Sequence, residues 1–190
     1  MPAADLPAVG DQTIIVVSGL PRSGTSLMMQ MLAAGGIPVA TDGQRTADDD
    51  NPRGYYEFER VKALSRDAAW LPEVRGQAIK IVSQLLFALP TTETYRVILM
   101  RRDLEEILAS QTTMLARSGR VGGDAAKVCS AFASHLSRLD DWLPLQSHIT
   151  ALPLDYAAVI VDPQGAAAQV VEFLDRPLDA SAMAAAVDPA

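Results

Sequence analysis

Residues 13–18 (TIIVVS) run straight into Gly19-Leu20-Pro21-Arg22-Ser23-Gly24-Thr25-Ser26, and this junction restricts the possible folds more than any other part of the chain. An uninterrupted apolar, β-branched run is how a strand buried on both faces of a parallel sheet reads. After the glycine-bounded loop, Leu27, Met28, Met31 and Leu32 recur at helical spacing, and Gly35-Gly36 ends them as a C-cap does. Met28, Met29 and Met31 read as adaptable core packing. The unit is strand, loop, helix. It recurs at residues 95–100 (YRVILM), which lead into a helix from about Asp103 with Leu104, Ile107, Leu108 and Leu115 on its core face. A third helix carries Val128, Phe132, Leu136, Leu139 and Leu143 on one stripe, residues 149–154 read as a short strand, and Pro163 opens a last helix through Val170, Val171 and Leu174. Strands alternating with helices predict an α/β fold: three layers, with a central, mainly parallel sheet flanked by helices and right-handed crossovers.

Such a fold needs apolar material, and 190 residues with 49% hydrophobic and 21% charged side chains supply it within one domain. The domain is expected to span residues 1–190, with 1–12 and 179–190 as tails; the alanine-rich stretch after Leu178 is either a helix or a frayed end. Sixteen Lys+Arg against 23 Asp+Glu give a net charge of −7, a field that repels phosphate polymers and anionic membrane surfaces. Neither nucleic acid nor membrane is expected as a partner, and any bound anion needs a local pocket. No apolar run reaches the roughly 18 residues of a membrane-spanning helix. The single cysteine, Cys129, cannot form an internal disulfide, and the N-terminus lacks a basic region followed by an apolar core, so a cytoplasmic location is expected. Cys129, with no basic neighbour on its helix, reads as a structural thiol, and His135 and His148 as structural or solvent-exposed. No His/Cys/carboxylate cluster has metal-ligand spacing, and no metal is expected.

The loop after the first strand has the outline of a phosphate-binding loop: glycine, four residues, glycine, then two hydroxyl residues opening a helix. A nucleoside-triphosphate site places lysine where Thr25 stands. Without it, backbone N–H groups and the helix dipole still cradle an anion, Ser23, Thr25 and Ser26 add hydroxyl donors, and Arg22 adds a cation. The fold class is thus a P-loop-containing one, and the site is built for phosphate without the triphosphate lysine.

The sequence Pro21-Arg22-Ser23-Gly24-Thr25-Ser26 after an apolar strand resembles the loop of sulfotransferases that use 3′-phosphoadenosine 5′-phosphosulfate (PAPS), and its arginine form looks most like that of the protein-tyrosine sulfotransferases and a large bacterial group. The resemblance extends to the second strand. There Arg102, with Ser110 eight positions on, matches the arginine and serine that hold the 3′-phosphate in the family. Near the C-terminus, Leu154-Asp155-Tyr156, then Asp162-Pro163, then Phe173-Leu174 is similar to a family stretch whose tyrosine lies against the adenine. The resemblance therefore implies a PAPS-dependent sulfotransferase acting on a hydroxyl acceptor and releasing 3′-phosphoadenosine 5′-phosphate (PAP). Arg22, Ser23, Gly24, Thr25, Ser26, Arg102, Ser110 and Tyr156 would bind the donor, and Arg22 would also assist the reaction. The glycine-rich, basic C-terminal segment that many relatives carry has no counterpart here.

Sulfuryl transfer needs a base for the acceptor proton and positive charge on the leaving phosphate. Asp42 stands at the distance beyond the loop arginine where relatives carry the base, although Thr41-Asp42-Gly43 is also a turn signal. Glu57, after the acidic and aromatic segment 48–56, is the other candidate; that segment is suited to an acceptor-binding loop or to anchoring through Tyr55, Tyr56 and Phe58. Lys80 resembles a lysine that some bacterial relatives place beside the sulfuryl group. Two other functions remain open. A P-loop kinase-like phosphotransferase is disfavoured by Thr25 at the lysine position, and a non-catalytic PAP- or nucleotide-binding module would keep the loops without turnover. A homodimer is a possible assembly.

Overall fold

The structure is a computed structural model and describes residues 12–42, 56–117, 119 and 123–187. The proposed acceptor-loop residues 48–55 and most of the N-terminal tail lie outside the described residues.

Six buried residues, Ile14–Gly19, form strand β1, the run expected to be covered on both faces. It lies inside a four-stranded sheet of order β2-β1-β3-β4, where β2 is Ala78–Val82, β3 is Tyr95–Arg101 and β4 is Ile149–Asp155. All three pairings are parallel, with Ile15 opposite Ala78, Ile14 opposite Tyr95 and Tyr95 opposite Ile149. Period-2 alternation divides β1 between two cores. Ile15 and Val17 face one core with Met28, Met29, Met31 and Leu32, joined by Ala166, Val170, Leu174 and Met183. Ile14 and Val16 face the other, with Trp70, Leu71, Leu86 and Leu139. The predicted α/β architecture of helices on both faces of a parallel sheet is the observed one.

Helix α1 is Thr25–Ala34, α2 Leu104–Arg117, α3 Ala125–Trp142, α4 Tyr156–Val161, α5 Pro163–Leu174 and α6 Ala180–Ala185. The segment after Leu178 is therefore helical, and it is docked: Met183 is fully buried, packed against α1 at Gly35, where a Cβ would come within 2.6 Å of the methionine Cγ. Of the stripes expected on α2 and α3, Ile107 and Leu139 are buried, whereas Leu104, Leu108, Leu115, Val128, Phe132 and Leu136 are half-buried. Cys129 is half-buried on α3, and His135 Nε2 lies 2.8 Å from the Oγ of buried Ser83.

The sequence reading left β2 unassigned. Its apolar run is short and is interrupted by Lys80, yet the Lys80 side chain is only 13% exposed, with its amine 3.9 Å from the Glu57 carboxylate.

How the helices begin decides where an anion can sit. Aspartates cap five of them: Asp103 accepts from Glu105 and Glu106 N–H, Asp124 from Ala126 and Lys127, Asp155 from Ala158, Asp162 from Gly165, and Asp179 from Ala182. Helix α1 begins differently. Its cap is Gly24, with no side-chain hydrogen bond and no acidic residue in the first turn. Its first N–H groups have no intrahelical acceptor and keep the positive end of the helix dipole unneutralised.

Candidate active site

The open end of α1 faces a cavity of about 570 Å³ at the carboxyl ends of β1, β2 and β3. Parallel α/β sheets bind ligands at this edge, where neighbouring crossovers part. Among its walls are Arg22, Gly24, Thr25 and Ser26 from the loop and α1, Lys80 and Val82 from β2, Arg102 from the end of β3, Gln111 and Met114 from α2, and also Glu57 and Tyr156. Eight of the eleven residues singled out in the sequence thus line one space: Arg22, Gly24, Thr25, Ser26, Glu57, Lys80, Arg102 and Tyr156.

Backbone geometry shapes the loop. Gly24 has φ 95°, a left-handed value that favours glycine, and a Cβ there would lie 2.4 Å from Cδ2 of Tyr156. The tyrosine ring is pressed against the loop at that point. Arg22 takes φ 70° despite its side chain, and two contacts hold it: its Nε donates to Ser110 Oγ at 2.9 Å, and its carbonyl accepts from Arg102 Nη1 at 3.1 Å. The family resemblance set Ser110 beside Arg102; the structure brings it to Arg22. Arg102 instead lies with its guanidinium carbon 4.4 Å from the centre of the Tyr156 ring and donates from Nε to Glu106 at 2.9 Å.

Ser23 is placed differently from the other loop residues. It is 1% exposed, outside the cavity lining, with its Oγ turned under the loop where a Cβ on Gly19 would come within 2.3 Å of it. Of the two base candidates, Glu57 reaches the cavity. Its backbone is fixed by hydrogen bonds from Thr41 Oγ1 and Asp42 N to its carbonyl. Tyr56 packs toward the α1 core, and Phe58 lies edge-on to Trp70 in the other, with centroids 5.3 Å apart. The Glu57 carboxylate is 3.9 Å from Lys80 Nζ. Asp42 does not line the cavity; its carboxylate accepts from Glu59 N–H at 2.6 Å and ties the segment entering the site to the one leaving it.

Among the described residues, three cations, Arg22, Lys80 and Arg102, therefore share a cavity with one lining carboxylate, Glu57, within a chain that is acidic overall. Among the described residues the charge lining the cavity is thus opposite in sign to the net charge of the chain. Sequence reasoning passed over Gln30, Gln111 and Met114, which also line the space. The last two had a usable signal: Gln111 and Met114 continue the helical face that begins at buried Ile107. Among the described residues no group of His, Cys, Asp or Glu is arranged to hold a metal ion, and no helix is long and apolar enough to cross a membrane.

No curated protein matches the chain. Among solved structures, a sulfotransferase from Mycobacterium tuberculosis H37Rv superposes with a TM-score of 0.63 at 18% identity, over 92% of this chain and 71% of the other. The sulfotransferase domain of an olefin synthase from Synechococcus PCC 7002 gives 0.59 at 14% identity, over 95% of this chain and 78% of that one. The sulfotransferase domain from the curacin biosynthetic pathway gives 0.50 at 14% identity, over 88% and 75%. These similarities show a shared fold. The sulfotransferase domain model itself matches residues 12–188, from the strand that carries the loop to the helix docked beside Gly35, and the chain belongs to the sulfotransferase family.

Proposed function

We propose that the protein moves a sulfuryl group from PAPS to a hydroxyl acceptor. The observation that carries this reading is the meeting of an uncapped helix N-terminus and three cations with a Glu57–Lys80 pair in one cavity. The donor set fits a nucleotide bearing phosphates at both ends. Arg22, the N–H groups at the start of α1, and the Thr25 and Ser26 hydroxyls suit the phosphosulfate end, with charge-assisted bonds to its oxygens. Arg102 suits the 3′-phosphate, and Tyr156, on whose ring the Arg102 guanidinium rests, suits the adenine.

PAPS, when bound, supplies an activated sulfuryl group with PAP as its leaving group. The protein's part is to bring the acceptor and hold its proton. Glu57 takes the proton from the acceptor hydroxyl as that oxygen bonds to sulfur, while the bond from sulfur to the phosphate oxygen breaks. Arg22 stabilises the charge left on the phosphate. Lys80, 3.9 Å from the carboxylate, places a second cation near the transferring group. Asp42 holds the segment that presents Glu57.

Incubating the purified protein with PAPS and a panel of alcohols and phenols, and measuring PAP release, tests the reaction. Acceptor-dependent PAP release supports it. A thermal shift with Mg-ATP and none with PAP would instead favour phosphoryl transfer, and PAP binding without turnover on any acceptor would favour a binding module.

A further inference from the structure

Arg102 is held by three contacts within the protein. It is the first residue beyond β3 and lines the cavity, whereas Glu106, one turn into α2, does not. A guanidinium carries five N–H groups in one plane. Here Nε donates to Glu106 Oε2 at 2.9 Å, Nη1 donates to the Arg22 carbonyl at 3.1 Å, and the face of the plane rests on Tyr156. Three N–H groups remain on Nη1 and Nη2. With Nε taken, the side-on fork of Nε and Nη2 is closed to a second carboxylate or phosphate, and the Nη end is left for an anion.

We infer that Glu106 is a positioning residue that anchors Arg102 by Nε and so presents the Nη end of the guanidinium to an anion in the cavity. This rests on the reading of the cavity as the donor site and adds a residue to it. The contact is an i,i+4 pair whose carboxylate side chain is 53% exposed, so it adds little to folding stability. Its effect falls on the arginine, whose long side chain would otherwise lose its rotamer freedom at the moment of binding.

Calorimetric titration of PAP, 5′-AMP and pyrophosphate into the wild type, Arg102→Ala, Glu106→Ala and Glu106→Gln tests the inference. Glu106→Ala should weaken each anion that Arg102→Ala weakens, by about threefold to tenfold, the cost of immobilising one long side chain. Glu106→Gln keeps an acceptor for Nε and should stay within about twofold of the wild type, with both Glu106 variants melting close to the wild type. A Glu106 acting only through its charge gives the opposite pattern, tighter binding in both variants, and that result overturns the inference. So does a Glu106→Gln as weak as Glu106→Ala, or an Arg102→Ala that changes no anion's affinity. If the wild type holds PAP no better than 5′-AMP, yet the Glu106 pattern appears with 5′-AMP or pyrophosphate, the donor assignment fails and the positioning role stands.

Discussion

Arg22 and Ser110, 88 positions apart, are joined by a 2.9 Å hydrogen bond from Nε to Oγ, which fastens the phosphate loop to the helix that follows β3. Ser110→Ala removes the acceptor and leaves the arginine free to swing. Hydrogen bonds to charged groups contribute roughly 1.5–3 kcal/mol, and this half-buried one belongs near the bottom of that range. PAP affinity should fall about tenfold by calorimetry. Unchanged affinity would mean that the contact does not serve the site.

Gly24 is the position least able to change. Gly24→Ala puts a Cβ at φ 95° and 2.4 Å from the Tyr156 ring. The backbone strain alone costs on the order of 1–3 kcal/mol in denaturant unfolding. Adding Tyr156→Ala relieves the collision but not the φ strain, so the double variant should recover only part of the loss in loop geometry. A Gly24→Ala protein with wild-type stability and PAP affinity would refute this account of the loop.

Glu57 and Asp42 separate by role. Glu57→Gln should lower kcat by about 10²–10⁴, the usual contribution of a general base, and leave PAP binding in place. Asp42→Ala loses the acceptor for Glu59 N–H and should cost about 1 kcal/mol of stability, as loss of a cap does, with a smaller fall in turnover. The reverse ranking in a steady-state assay would transfer the base to Asp42.

The sequence made the strand-loop-helix start legible because its signals are local: a buried strand, two glycines and an amphipathic helix within 13–36. The same holds for α5, where Asp162 and Pro163 mark the first turn. Strand β2 was hidden because five residues with a lysine in the middle carry no clear period, and only burial between β1 and the bridge at Val39 makes them a strand. Within the site, the family resemblance singled out Arg102 and Ser110 but could not tell that Ser110 meets Arg22, since side-chain partners far apart in sequence depend on rotamers. Ser23 shows the same limit. Its place in the motif says nothing about its hydroxyl turning under the loop.

His135 gives the fold a pH dependence. Burial lowers its pKa below 6.5, with Arg138 and Arg101 acting in the same direction. The unfolded chain therefore binds more protons than the folded one below about pH 6.5, and stability falls as pH drops from there toward the lowered value. Above pH 6.5 the histidine contributes no slope. His135→Gln should flatten the stability profile just below pH 6.5 in chemical denaturation, and an unaltered slope would assign it to other groups.

Helix α6 belongs to the folded unit. Met183→Ala should destabilise the protein by about 2–5 kcal/mol, the range for emptying a buried methionine site, even though it lies far along the chain from β1. A change under 1 kcal/mol in denaturant unfolding would show α6 to be dispensable.

The bonds that steady the loop span 88 and 80 positions, from Ser110 and Arg102 back to Arg22. A chain still emerging from the ribosome thus carries its whole glycine motif while β1 has neither sheet neighbour, and long before anything holds Arg22 in its left-handed turn. Nucleotide cannot template the early steps of folding. It can only select and stabilise a finished domain, so ligand-dependent protection from proteolysis during synthesis should begin only after β4 and Tyr156, which completes the cavity lining, have been made and packed onto the sheet.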